Sequence, residues 1–234
     1  MFSLCLAAKW LHNRTRKLVT QPLAVYSFAH KNLNAYKRWI RFRRLKERIA
    51  NQEFRRIVVG ASGVCDEGWI PTEIELLNVL DLHDWDRYFH PDSIDAILAE
   101  HVWEHLTKEE GIVAARMCFT YLKRGGYLRL AVPDGLHPDQ NYIEWVKVGG
   151  TGPGADNHKV LYTYRTLTEI LEVVGFRVDL YEYFDETGRF HYREWDPRQG
   201  MIHRSKRFDE RNSKGQLNYT SIVLDAFKER VSRP

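Results

Sequence analysis

What most constrains this chain is a recurring pair: a short, apolar, β-branched run that stops at glycine or a carboxylate, then a segment carrying helix signals. Ile57-Val-Val-Gly-Ala-Ser-Gly63 opens the series as a buried strand entering a tight turn, and Ser93-Ile-Asp-Ala-Ile-Leu-Ala99 and Tyr127-Leu-Arg-Leu-Ala-Val132 repeat the pattern. Two shorter extended pieces, Trp69 to Ile74 and Leu76 to Leu80, precede Asp81. A helix is expected from about Thr107 to Leu122, since Thr107-Lys-Glu-Glu110 spells a capping box and Lys123-Arg-Gly-Gly126 supplies a stop. A second helix runs from Tyr164 to Val174 and closes at Gly175; strands follow at Phe176 to Phe184 and Tyr219 to Phe227. Strand alternating with helix argues for a mostly parallel, doubly wound sheet. Ligands of such sheets bind beyond the carboxyl ends of the strands, where Gly60 to Gly63, Glu73, Asp81, Glu100 to His105 and Asp134 fall.

At 234 residues and 44% hydrophobic content, the chain suffices for one α/β domain with something appended to it. The charge shows where the appendage lies. Residues 1–56 hold 14 Lys/Arg against two acids, Glu47 and Glu53, leaving 21 against 29 in residues 57–234, so a net +12 faces a net −8. Trp39, Phe42, Leu45 and Ile49 recur at helical spacing among Arg38, Arg41, Arg43, Arg44, Lys46 and Arg48, which describes a basic amphipathic helix. Such an arm either packs its apolar stripe on the body or lies on an anionic membrane surface; nucleic acid is the least favoured partner. The opening MFSLCLAAKWL is too short and lacks the flanks of a signal peptide, and no run reaches a membrane span. Cys5, Cys65 and Cys118 are odd in number and scattered, which suits a reducing compartment. The expected location is cytoplasmic, with peripheral attachment to the inner membrane face if the arm binds lipid.

An ordered series of motifs resembles the class I S-adenosylmethionine-dependent methyltransferases, in particular a bacterial branch of predicted methyltransferases linked to surface-saccharide genes. It runs VVGASG, GWIPTE, LD at 80–81, SIDAILAEHVWEHL, YLKRGGYLRLAVPD, HKVLYTYRTLTEILEVVGF and the tail YFDETGRFHYREWDP to YTSIVLDAFK, over residues 57–228. The resemblance implies a Rossmann-like methyltransferase fold: a mostly parallel sheet with helices on both faces and an abbreviated first βα unit, plus a basic helical arm over 1–56. It implies a methyltransferase domain over 57–234, with 185–218 as a variable substrate-side segment. S-adenosylmethionine is the implied cofactor, held by Gly60, Ala61, Ser62 and Gly63 at its methionyl part, Glu73 at the ribose, Asp81 near the adenine, and Glu100 and His101 along the pocket. Ser62 stands where the family's second turn glycine is usual, and the span from Gly63 to Gly68 has no room for a crossover helix.

Glu100-His-Val-Trp-Glu-His105 is the segment richest in chemistry. As a bare pattern, His101, Glu104 and His105 match the H-x-x-E-H of zinc peptidases, which the surrounding series disfavours. A nearer analogue is the E-x-x-E-H segment of ubiquinone-pathway O-methyltransferases and small-RNA ribose methyltransferases, where it holds a divalent metal; here His101, Glu104 and His105 are the metal candidates. Two imidazoles suit a softer ion than Mg²⁺. Against this stands the plainer reading, in which Glu104 and His105 only cap the strand–helix junction. Without a metal, His101, His105 or His158 is the candidate general base, with Asp134 and His137 completing the pocket. Phe190, His191, Tyr192, Arg193, Trp195, Arg198, His203, Arg204 and Arg207 suit a saccharide or phosphosugar, or form a packed surface loop. The expected activity is O-methylation of a saccharide or polyol. A small-molecule or nucleic-acid ribose acceptor is the first alternative, and a non-catalytic binding module the second.

Overall fold

The computed structural model describes residues 36–64 and 66–229. Cys5, Cys65 and most of the arm lie outside the described residues. The chain divides into two compact units, Met1–Glu47 and Arg48–Pro234. Residues 36–50 are helical (α1), as the basic amphipathic spacing predicts. Within the first unit Tyr36 stacks on Trp39 at 6.1 Å, Arg43 lies over the Trp39 ring, and both aromatic rings are more than half exposed.

The second unit is built on one seven-stranded sheet, in the order β2-β1-β3-β4-β7-β5-β6. Its strands are β1 (Arg56–Val58), β2 (Ile70–Pro71), β3 (Ile94–Glu100), β4 (Leu122–Pro133), β5 (Arg177–Phe184), β6 (Phe190–Tyr192) and β7 (Ser221–Phe227). β1 pairs in parallel with β2 and β3, and β3 with β4, whereas β7 is antiparallel to both β4 and β5. The fold is Rossmann-like, with a parallel core and an antiparallel strand inserted near one edge. No helix separates β1 from β2, so the first βα unit is abbreviated, as expected.

Helices are α2 (Leu82–Tyr88), α3 (Lys108–Tyr121), α4 (Gln140–Val146) and α5 (Tyr164–Glu172). The Thr107 capping box forms as written: the Thr107 hydroxyl accepts from Glu110 N–H, and the Glu110 carboxylate accepts from Thr107 N–H at 2.8 Å. α3 and α5 pack together and against β4 and β5, with Phe119 edge-on to Phe176 across the bundle. On the opposite face, Val58, Trp69, Ala96, Leu98, Ala131 and Val223 are closed over by Trp195, Ile202 and Phe208 from the segment after β6. That segment is therefore a core layer in its own right, with only short 3₁₀ turns at Pro197–Gln199 and Glu210–Gly215.

Two local expectations change. Leu76 to Leu80 is not a strand: Leu76 and Leu77 N–H both bond Glu73 O, and Asp81 N–H bonds Asn78 O, so two turns direct the buried Leu76, Leu77 and Val79 into the core. Lys123 to Gly126 does not leave the sheet; β4 runs through it, with a register irregularity that absorbs the extra residues against β3. The helix that the disfavoured zinc-peptidase pattern would need across His101, Glu104 and His105 does not form: β3 ends at Glu100 and a 3₁₀ turn, Trp103–His105, follows.

The same sheet buries one complete ion pair. Arg129 on β4 is fully buried and gives two parallel hydrogen bonds to Asp225 on β7, at 2.7 and 2.8 Å. Its remaining guanidinium nitrogen donates to Asp196 O and Gly200 O, while the Tyr127, Tyr181 and Trp195 rings surround the cation. A charge withdrawn from water this completely is tolerable only when its donors are satisfied, and here they are. The pair pins the irregular layer to the sheet.

Candidate active site

In an open parallel sheet a crevice opens where chain order reverses, because the connections on either side leave in opposite directions. Here β1 lies between β2 and β3, so the reversal falls between the carboxyl ends of β1 and β3. A cavity of about 450 Å³ occupies that place, walled by Val58, Gly60, Ala61 and Ser62 from the first turn and by Leu98, Glu100, His101, Glu104 and His105 from the second. Trp145, Gly152, Pro153 and His158 form a third wall, and Met201, His203, Arg204, Arg211 and Tyr219 a fourth.

The first turn takes its shape from three left-handed residues, Gly60 (φ 62°), Ser62 (φ 48°) and Gly63 (φ 80°). A Cβ on Gly60 would sit 2.7 Å from Val102 Cγ2, so glycine here admits a side chain of the second turn. Ser62 adopts the conformation that a glycine would take more easily, and the turn forms with serine in place. Gly63 N–H donates to the Glu73 carboxylate at 3.1 Å, which ties Glu73 to the turn although it does not line the cavity. Asp81 lies outside the cavity too, where its carboxylate caps α2 by accepting His83 N–H at 2.9 Å.

Glu100 lines the cavity, and its carboxylate accepts Arg204 N–H at 2.6 Å and His203 N–H at 3.1 Å. It holds the fourth wall against the end of β3. His101 follows in a left-handed conformation (φ 57°) uncommon for a non-glycine residue. Its Nε2 lies 3.0 Å from Ser221 Oγ, whose own hydroxyl donates to Arg204 O at 2.7 Å. The shared contact therefore requires hydrogen on Nε2. Its Nδ1 lies 2.9 Å from Glu104 Oε1, at ion-pair distance but without hydrogen-bond alignment. Both His101 nitrogens are thus occupied by protein groups.

Glu104 is 1% exposed, and neither of its carboxylate oxygens has a hydrogen-bond partner among the described residues. Burial opposes its charge, but the neighbouring His101 ring, then the Glu104 backbone N–H and least of all His105, hold the carboxyl below the usual glutamate range. Its backbone carbonyl accepts Lys159 N–H and Val160 N–H, which draws the loop after α4 across the site and sets His158 beside His105. The two rings meet edge to face at 4.9 Å. His158 Nδ1 lies 2.7 Å from Val146 O, and His105 Nδ1 lies 3.4 Å from Asn157 O. A carbonyl can only accept, so each Nδ1 carries the hydrogen in these contacts, leaving Nε2 as the free lone pair.

The site thus brings together Gly60, Ala61, Ser62, Glu100, His101, Glu104, His105 and His158, all on the cavity wall. It leaves Asp134 and His137 outside the lining: Asp134 is fully buried, accepting Leu136 N–H and Phe184 N–H, and His137 stacks on Tyr142. Desolvation lifts the Asp134 carboxyl to about 6 and pushes the His137 ring down. Of the aromatic and basic residues expected after β5, only His203 and Arg204 reach the cavity; Trp195 belongs to the core. Trp145, Arg211 and Tyr219 line it without having been expected, and Arg211 stacks on the Tyr219 ring at 3.4 Å.

No family model matches this chain, and no curated protein matches its sequence. Solved structures do resemble it in overall course. A SAM-dependent methyltransferase from Archaeoglobus fulgidus is 16% identical, with 82% of this chain and 94% of that one aligned at a TM-score of 0.44. A SAM-dependent methyltransferase from Thermotoga maritima, described as a possible histamine N-methyltransferase, is 14% identical over 84% and 96% of the chains, with a TM-score of 0.47. A phosphoethanolamine N-methyltransferase from Haemonchus contortus, solved with S-adenosyl-L-methionine, is 12% identical over 82% and 53%, with a TM-score of 0.41. At this distance they assign nothing to individual residues.

Proposed function

We propose that this chain is an S-adenosylmethionine-dependent methyltransferase that methylates an oxygen of a saccharide or related polyol. The carrying observation is the placement of the cavity: it lies at the reversal point of a Rossmann-like sheet, against a glycine turn whose residues 60–62 present backbone to the ligand space. Its volume of about 450 Å³ and its mixture of apolar and hydrogen-bonding walls suit a nucleoside-sized cofactor with room for part of an acceptor. The donor, when bound, supplies an activated methyl group. The turn after β1 would hold its amino-acid end, and Glu73, tied to that turn through Gly63 N–H, is the acid proposed for the ribose.

The protein's own part is to orient the acceptor and take its proton. His105 and His158 present free Nε2 lone pairs on the cavity wall, fixed in orientation by backbone carbonyls. Either can accept the acceptor's hydroxyl hydrogen as the new C–O bond forms. His101 cannot do so while both its nitrogens are engaged, so its part is to position Glu104. Trp145 and Tyr219 offer ring faces, and Arg204 and Arg211 offer donors, in the manner of sugar and anionic-sugar sites.

Calorimetric titration with S-adenosylmethionine should show one site per chain, and absence of binding at millimolar cofactor overturns the reading. Transfer of labelled methyl from the cofactor to a panel of saccharides, polyols, carboxylates and amines then decides the acceptor class; label appearing only on nitrogen or carboxylate removes the O-methylation half.

A further inference from the structure

Glu104, His105 and His158 have a relation that proton transfer alone leaves unexplained. Each offers one ligating atom, and the three atoms lie within 4.8 Å of one another on the cavity wall. A general base needs one imidazole; here two converge, from turns more than fifty residues apart, on a carboxylate that is 1% exposed and has no hydrogen-bond donor on either oxygen. A carboxylate buried this deeply is costly unless its oxygens are satisfied, and a cation would complete them. The His101 ring stands at only one of the two oxygens, and out of line for a hydrogen bond.

The two rings are also prepared in the way metal ligands are. A ligating imidazole gives its lone pair to the ion while its other nitrogen donates to a carbonyl or carboxylate, which fixes both tautomer and ring orientation. His158 Nδ1 against Val146 O at 2.7 Å and His105 Nδ1 against Asn157 O at 3.4 Å are that arrangement, formed twice. His101, bonded to Ser221 and set against Glu104, stands behind the carboxylate as its orienting partner.

We propose that Glu104, His105 and His158 bind one divalent transition-metal ion on the cavity wall, with coordination positions left open toward the acceptor. Two nitrogens and one oxygen favour Zn²⁺, Co²⁺, Mn²⁺ or Fe²⁺ over Mg²⁺, which takes oxygen ligands. Three protein ligands leave the open positions typical of a catalytic rather than a structural ion. The role assigned to those positions is to hold an acceptor hydroxyl and lower its pKa, its proton passing to solvent water because both imidazole lone pairs are then on the ion. This role, which replaces the histidine base of the metal-free site, rests on the methyltransferase reading. The binding of the ion does not.

The test uses full-length protein stripped with chelator, dialysed free of it and titrated with Co²⁺, followed by calorimetry and visible absorption. One ion per chain and a ligand-field spectrum are expected, with affinity at least about tenfold weaker in both His105→Ala and His158→Ala. His90→Ala, exposed in the loop after α2, should bind as the parent does. Because Glu104→Gln alters a buried contact, the decisive variants are the two histidines, each checked for a parent-like circular dichroism spectrum; if either alanine variant misfolds, the asparagine variant replaces it. No Co²⁺ or Zn²⁺ binding up to about millimolar, or binding unchanged by His158→Ala, overturns the site. Titrating the stripped protein with S-adenosylmethionine separates the two proposals: cofactor binding without metal binding removes only the ion, and metal binding without cofactor binding removes only the methyltransferase.

Discussion

Two of the charges withdrawn from water among the described residues, Arg129 and Glu104, are treated in opposite ways. Arg129 has its guanidinium nitrogens matched to Asp225, Asp196 O and Gly200 O, and lies among three aromatic rings. Glu104, as deeply buried, has neither oxygen hydrogen-bonded and stands among three histidines on a cavity wall. Completed networks rigidify, whereas a buried group left incomplete calls for an explanation, which on a cavity wall can be a ligand. The contrast divides the sheet's polar residues into those that hold the irregular layer down and those that face a ligand.

The largest effect expected from breaking this contrast is on the Arg129 side. Arg129→Met leaves Asp225 buried and unpaired, so urea denaturation should show a loss of about 3–5 kcal/mol, much of it recovered in Arg129→Met with Asp225→Leu. A single variant as stable as the parent would mean the pair does not pin the layer. Next comes Asp134, another fully buried carboxyl. Its carboxyl sits near 6 instead of 3.8 because burial favours the neutral form. Its stabilising contribution is therefore complete below pH 4 and is lost as pH rises through about 6, about 3 kcal/mol at most by the size of that shift. Asp134→Asn should be least favourable relative to the parent at pH 4 and gain on it toward pH 7; a constant difference would place the carboxyl elsewhere. Gly60→Ala forces a left-handed alanine into Val102, and a thermal melt should register about 1–3 kcal/mol together with weaker cofactor binding.

The smallest change in stability belongs to Glu104→Gln. A glutamine can donate its amide hydrogen to His101 Nδ1 while His101 Nε2 keeps its hydrogen for Ser221, so the loss should stay within about 1 kcal/mol. On the proposed methyltransferase reading, methyl transfer should fall by about a hundredfold as the site loses its carboxylate. Equal damage to fold and activity would erase the distinction between the two buried charges.

The pattern of β-branched runs and capping signals was enough to expect β1, β3, β4, β5, β7, α3 and α5, because most of these are long or carry explicit caps such as Thr107 with Glu110, while the three-residue β1 is marked by the glycine turn that follows it. α2 and α4 span 7 residues each and announce themselves only through Asp81 and Asp139, single acids that serve equally well in turns. Leu76 to Leu80 misleads because burial, which the residues record faithfully, does not require a strand. In the site, Glu104 and His105 stand out by local density, but their meeting with His158 depends on the carbonyl of Glu104 recruiting Lys159 and Val160, a contact no periodicity encodes. The Arg129 pair was within reach. A lone arginine in Tyr127-Leu-Arg-Leu-Ala-Val132 and a lone aspartate in Ser221-Ile-Val-Leu-Asp-Ala-Phe227 each interrupt an apolar strand, and the antiparallel register sets them opposite one another.

The isopropyl group of Val102, lodged where Gly60 has no side chain, makes the two turns beside the cavity a single mechanical part. A ligand that pushes the turn after β1 toward the second turn would press on Val102, the neighbour of His101 and Trp103. Occupancy by a donor would therefore be felt directly by the groups that face the acceptor, through a wall one methyl group thick. Enlarging or shrinking that methyl, by Val102→Ile or Val102→Ala, would tune the communication between the two halves of the cavity without touching a polar atom in either.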